Sequence, residues 1–149
     1  MFTLVPSDFF DPLNARESLL AVGPVSGEEG VEYSEIPEYG AVLVYTVPKD
    51  GSLPDICGIL SALPGCPEYN KIVCSLSDGF LNLAIAQGNN LMIANAYPAP
   101  DFTTAEYYVF LAMKSLQLNP EMSTINWKGV LSVEEEISLS RYFKSVEVI

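Results

Sequence analysis

Apolar and polar residues alternate through three consecutive stretches in the second half of the chain, and the alternation predicts a β-meander. Lys71–Ser77 (KIVCSLS) is rich in strand formers and ends at Asp78-Gly79, a pair that suits a tight hairpin because both residues tolerate positive φ. In Phe80–Gln87 the residues Leu81, Leu83 and Ile85 fall on one face, and Phe80, Asn82, Ala84 and Ala86 on the other. Gly88-Asn89-Asn90 turns the chain into Leu91–Tyr97, and Pro98 and Pro100 close the meander. The period then lengthens. Thr103-Thr104-Ala105-Glu106 reads as a capping box, followed by Ala105, Val109, Ala112, Met113 and Leu116 at helical spacing, with Asn119-Pro120 as the stop. Thr124–Leu131 is strand-like, and Ser132-Val133-Glu134-Glu135 is a second capping box. Glu134, Glu135 and Glu136 place negative charge at the positive end of the helix dipole. Val133, Ile137, Leu139 and Tyr142 or Phe143 are the expected core-facing residues, and Val146–Ile149 is a terminal strand.

The first 70 residues are less regular. Phe2–Val5 predicts a strand, and Asp11-Pro12 opens a helix over Pro12–Ala21 with Leu13, Leu19 and Leu20 on its apolar face. Val31–Ile36 and Ala41–Val47 predict two strands, the second apolar enough to be central. Ser52–Leu63 predicts a short helix, and Pro64-Gly65 with Pro67 marks the expected boundary. The whole reads as an α/β chain: a partial α/β subdomain over 1–66, then a βββαβαβ unit with a mixed sheet over 67–149.

Composition narrows the chemistry. Of the net charge of −12, residues 1–70 carry 11 acids and 2 bases, and residues 71–149 carry 8 acids and 5 bases. Neutralising phosphates takes Lys and Arg, so nucleic acid is not an expected partner. No run approaches the roughly 20 apolar residues of a bilayer span. The N-terminus has no basic region and carries Asp8 and Asp11, unlike a signal peptide. Cys57, Cys66 and Cys74 cannot all pair and form no C-x-x-C, which fits reduced thiols in a cytoplasmic protein. The absence of histidine removes His-based triads, imidazole acid–base chemistry and His metal ligands. Glu28, Glu29, Glu32, Glu35 and Glu38 would suit a hard cation but lack an EF-hand ligand loop, so they read as a solvated edge. Asp78-Gly79 has two readings, a plain hairpin turn or a loop aimed at a metal or phosphate. Trp127 is read as core ahead of partner surface, and Tyr107-Tyr108 as split between a buried and an exposed helix face.

The run Phe2–Asp11 (FTLVPSDFFD), followed by Asn14-Ala15-Arg16-Glu17, resembles a characteristic segment of a bacterial family of uncharacterised proteins with an actin-like ATPase, ribonuclease-H-like fold. Ala41–Pro48 is similar to that family's next strand. Leu91–Pro98, Tyr107–Pro120 and Arg141–Val146 resemble its C-terminal half in order and spacing. The resemblance implies a short or N-terminally truncated member, one half complete at 71–149 and the other partial. It also implies nucleotide held between halves by an Asp-x-Gly loop on each and a paired-glycine loop late in the second. Against that pattern Asp78-Gly79 is half a phosphate loop, and Gly129 stands alone where two glycines are expected. The expectation is a non-catalytic protein-interaction module with a degenerate nucleotide site and no cofactor, acting as a homodimer or with a heterologous protein and without membrane or nucleic acid. The alternative is a binder of nucleotide or a small metabolite whose site is completed by oligomerisation, with Asp78 near Mg²⁺ and ATP. A ribonuclease-H-like nuclease is disfavoured because Lys71–Ser77 contains no acid.

Overall fold

The computed structural model describes residues 1–27 and 29–149 and divides into two compact units, Met1–Cys57 and Gly58–Ile149. The division falls nine residues before the Cys66–Pro67 boundary expected from the sequence. Glu28 of the acidic cluster lies outside the described residues.

The first unit holds β1 (Phe2–Pro6), α1 (Ala15–Leu20), β2 (Gly30–Ile36) and β3 (Ala41–Val47). Its antiparallel sheet has the order β1-β3-β2, so the apolar β3 is central as its composition predicts. Ala15 and Leu19 of α1 cover Val42 and Val44. The expected helix is shorter than predicted. Asp11 Oδ1 accepts from the Leu13 amide at 3.0 Å and Pro12 opens a 3₁₀ turn, so the α-helix begins only at Ala15. Leu13, in that turn, is 88% exposed, and Leu20, next to the buried Leu19 on α1, is half-exposed. Only Leu19 of the three expected leucines is core. Glu32 and Glu35 are exposed on β2, an edge strand, where charge discourages further pairing. The helix α2 (Asp55–Ala62) follows and contains the division between the units.

The second unit holds β4 (Asn70–Ser77), β5 (Phe80–Gln87), β6 (Asn90–Pro98), α3 (Phe102–Ser115), β7 (Thr124–Trp127), α4 (Val133–Ser140) and β8 (Ser145–Val148). Strand order is β6-β5-β4-β7-β8, with β4, β5 and β6 an antiparallel meander and β7 and β8 parallel to β4. Asp78 and Gly79 have φ of 51° and 77°, the double positive φ of a type I′ hairpin. At Gly88 φ is 57° and Asn89 is not left-handed, which is the type II′ pattern. Ile72, Cys74, Leu81, Leu83, Ile85, Ile125 and Trp127 form one sheet face, buried with Ala105, Val109 and Met113 of α3 and with Leu139 and Phe143. Phe102 sits against Trp127 with ring centroids 5.4 Å apart, so the tryptophan is core. Tyr108 stacks on Tyr97 while Tyr107 is exposed, as the helical reading of the pair expects.

Four local expectations are corrected. The cap of α3 is Asp101, whose Oδ1 accepts from the Thr104 amide at 2.8 Å; Thr103 lies inside the helix and exposed, so no Thr103–Glu106 box forms. The helix ends at a left-handed Gln117, before Asn119-Pro120. Strand β7 stops at Trp127, because Gly129 at φ 116° turns the chain away. On α4 only Leu139 is core, joined by Phe143 beyond the helix end; Val133 is 71% exposed, and Ile137 and Tyr142 are each half-exposed. The 139/143 pair is centred about 120° around the helix from the 133/137 pair, so a single sheet covers only one pair. The Ser132 box is present: Ser132 Oγ accepts from the Glu135 amide, and Glu135 Oε1 from the Ser132 amide.

Candidate functional site

Two parallel strands that start at the same end of a sheet also stop at the same end, and here both stops carry the residues singled out from sequence. Parallel pairing sets Val73 opposite Asn126 and Cys74 opposite Trp127, and the Lys128 amide continues the ladder to the Cys74 carbonyl at 2.8 Å. Asp78-Gly79 leaves the end of β4, and Lys128-Gly129 leaves the end of β7 beside it. From the shared Cys74–Trp127 level, β4 continues three residues to Ser77, roughly 10 Å at strand rise, while β7 ends at that level. The hairpin tip therefore stands above the loop at the same end of the sheet. Asp78, Gly79, Lys128 and Gly129 are all exposed. The Gly79 carbonyl accepts from the Ala99 amide at 2.8 Å, which ties the turn to the end of β6.

Residues not singled out from sequence line the sheet face opposite the α3 core. Register places Ser75 opposite Asn82 and Val73 opposite Ala84, and adjacent pleats put Ser75, Asn82 and Asn126 on one face. Asn126 Nδ2 donates to the Ile72 carbonyl at 3.0 Å, which uses that amide to tie β7 to β4. Ser75 is buried, and its Oγ has no hydrogen-bond partner among the described residues. A buried polar atom without a partner costs about 1–3 kcal/mol, so it marks a place where a polar group would be stabilising. The signal in the sequence was the period-two polar run Ser75, Ser77 inside an apolar strand.

At the edge of this face Lys128 folds over α2, and a Cβ added at Gly58 would lie 2.7 Å from Lys128 Cε. The glycine thus makes room for the lysine stem. A second orphan, Glu106 Oε1, is also buried, but it projects from α3, which packs on the other sheet face. Ser75 and Glu106 do not share a site.

None of the three cysteines forms a disulfide, and burial disfavours the thiolate that nucleophilic work requires. Burial pushes the Cys74 thiol far above its usual range, and it also raises Cys57. Cys66 is raised by burial first and by the Glu68 carboxylate second, against a lowering from Lys71. Lys71 Nζ donates to the Cys66 and Glu68 carbonyls, clamping the turn that leads into β4. No group of three or more Cys, Asp or Glu among the described residues is placed to hold a metal, and no described helix is long and apolar enough to cross a membrane.

A different surface stands out on α4. Val133, Glu136, Ile137, Ser140 and Arg141 line an open groove of about 390 Å³ along its outward face. The preceding Val130 is 95% exposed.

No family model and no curated protein matches the chain. Its fold is similar to a crystal structure from Bacteroides thetaiotaomicron VPI-5482 described as a protein with an actin-like ATPase fold and unknown function. The TM-score is 0.75 at 18% identity, covering 99% of this chain and 64% of the other. The chain thus has the actin-like ATPase fold over about two thirds of that protein's length.

Proposed function

We propose that this chain is a non-catalytic, cytoplasmic protein-interaction module built on an actin-like ATPase fold, with a degenerate nucleotide site, acting as a homodimer or on a heterologous protein. The observation that carries the reading is the outward stripe of α4, where Val133 and Ile137 expose apolar side chains above Arg141. Apolar residues concentrated on one outward helix face favour burial against a partner. The chain is 49% hydrophobic at a net charge of −12, so charge maintains solubility while the stripe supplies attraction. Degeneracy is supported by the two-residue turn at Asp78-Gly79 and the lone Gly129. Light scattering over a range of concentrations tests the homodimer, with Ile137→Lys as the variant that dissociates it. A strictly monomeric chain whose Ile137→Lys variant also leaves binding to co-purifying proteins unchanged would overturn the reading.

One arrangement favours a second reading, a nucleotide or small-metabolite binder completed by assembly. The Asp78-Gly79 turn and the Lys128-Gly129 loop share one end of the sheet, near the unpartnered Ser75. Under this reading ATP with Mg²⁺ raises the melting temperature, and Asp78→Ala abolishes the rise. An unchanged melting temperature at saturating ATP removes it for this chain.

A further inference from the structure

The two sheets present four edge strands, and three of them carry a device against further pairing. Strand β2 exposes Glu32 and Glu35. Strand β8 is four residues long and contains Glu147. Strand β6 is uncharged but guarded in its backbone. The Ala99–Gly79 hydrogen bond fixes the phase of the β5–β6 ladder and turns the backbone of Ala94, Ala96 and Pro98 outward. Of these, the Ala96 amide is taken by Asn95 Oδ1 at 2.9 Å, and Pro98 has no amide hydrogen. A register shift between Ile85 and Ala86 adds a bulge at Met92.

Strand β1 lacks these protections over most of its length. Thr46 donates to the Met1 carbonyl at 3.0 Å and Ser7 to the Gly40 carbonyl at 2.9 Å. That phase turns the amides and carbonyls of Thr3 and Val5 toward β3, and those of Phe2 and Leu4 toward the open edge. Neither donor meets a charged residue within the strand, and Pro6 ends the edge by lacking a donor. Thr3 and Val5 continue the half-buried face that α1 covers around Val42 and Val44, so an added strand would find apolar surface there.

We propose that the β1 edge docks one extended cationic strand of another polypeptide, with apolar residues at alternate positions and Lys or Arg between them. The backbone pattern requires an extended partner. The charge requires a basic one: residues 1–57 hold ten acids against Arg16 and Lys49, and Asp8 and Asp11 follow the strand directly. A second copy would bring like charge to the same edge. The inference rests on the interaction reading, but it concerns a surface other than α4.

The test is amide hydrogen exchange on the full chain with two seven-residue synthetic strands, one alternating valine with lysine and the other valine with glutamate. The lysine strand slows exchange at Phe2 and Leu4 at least tenfold, less at 1 M salt, while the glutamate strand does not. Leu4→Pro removes an outward donor without touching the β3 ladder and abolishes the protection. Phe2→Pro does the same and serves should Leu4→Pro fail to fold. Protection by neither strand, equal protection by both, or protection that rises with protein concentration alone would overturn the assignment. The α4 reading survives that failure, because Ile137→Lys reports on self-association at a different surface.

Discussion

The Leu118 amide donates to the Met113 carbonyl at 2.9 Å, closing the end of α3 over a residue held in a left-handed conformation. With the Gln117 amide on the Lys114 carbonyl at 3.1 Å, this is a Schellman motif, and Leu118 is drawn against the core that contains Met113. Gln117 occupies the position at φ 58° where glycine is normally found.

Gln117 is exposed and pays a left-handed cost of about 1 kcal/mol that glycine would not. Gln117→Gly should therefore stabilise the chain by about 0.5–1 kcal/mol, raising the melting temperature by roughly 1–4 °C. Gln117→Ala should bring no gain. Thermal unfolding of the two variants decides the point.

The helix starts separate two capping motifs that look alike in sequence. Ser132→Ala removes a formed box and should cost about 1 kcal/mol in denaturant unfolding. Thr103→Ala should be nearly silent, while Asp101→Ala lowers the melting temperature. The Thr104 amide holds the Asp101 carboxyl below its ordinary range. Its stabilisation is complete above the unfolded carboxylate's pKa and fades as pH falls through the lowered folded value. The Asp101→Ala difference should therefore shrink in acid.

Two glycines should respond in opposite directions to alanine. At Gly88, φ is 57° and a Cβ would meet the Tyr69 ring at 3.0 Å, so Gly88→Ala should cost about 1–2 kcal/mol. At Gly58 the obstacle is the flexible end of Lys128, which can swing aside. Gly58→Ala should gain up to about 1 kcal/mol from helix propensity. Chemical denaturation of both variants measures the pair.

The buried Cys74 thiol predicts a loss of stability in alkali. Its folded pKa is raised, so the unfolded thiol ionises first, near pH ~8.5. Stability attached to this group is complete below that pH and falls as pH rises toward the folded value. Wild type should lose up to about 1.4 kcal/mol per pH unit more steeply than Cys74→Ala above pH ~9. Equal slopes in urea melts across that range would contradict the assignment.

Much of the fold was legible because it rests on neighbours in sequence. Phe80–Gln87 appears with its predicted bounds, the β3 strand is central, and Asp78-Gly79 is a hairpin turn. The candidate site was legible only in pieces. Asp78, Gly79 and Gly129 could be read as turn residues, but Ser75 and Asn126 come together through a parallel pairing between segments about 50 residues apart. No local pattern encodes that register.

By itself, then, the sequence determined where the chain turns, where strands alternate and that Ser132 caps a helix, because each depends on a few adjacent side chains and backbone groups. Tertiary structure decided which apolar residues became core. Helix α4 carries two apolar faces; the sheet buries the one with Leu139 and leaves Val133 and Ile137 outside. Leu13 and Leu20 face out for the same reason, since a residue's hydrophobicity gives its preference for burial and only packing assigns it a partner. The open edge of β1 likewise exists only after β3 has taken one side of the strand and no described strand has taken the other.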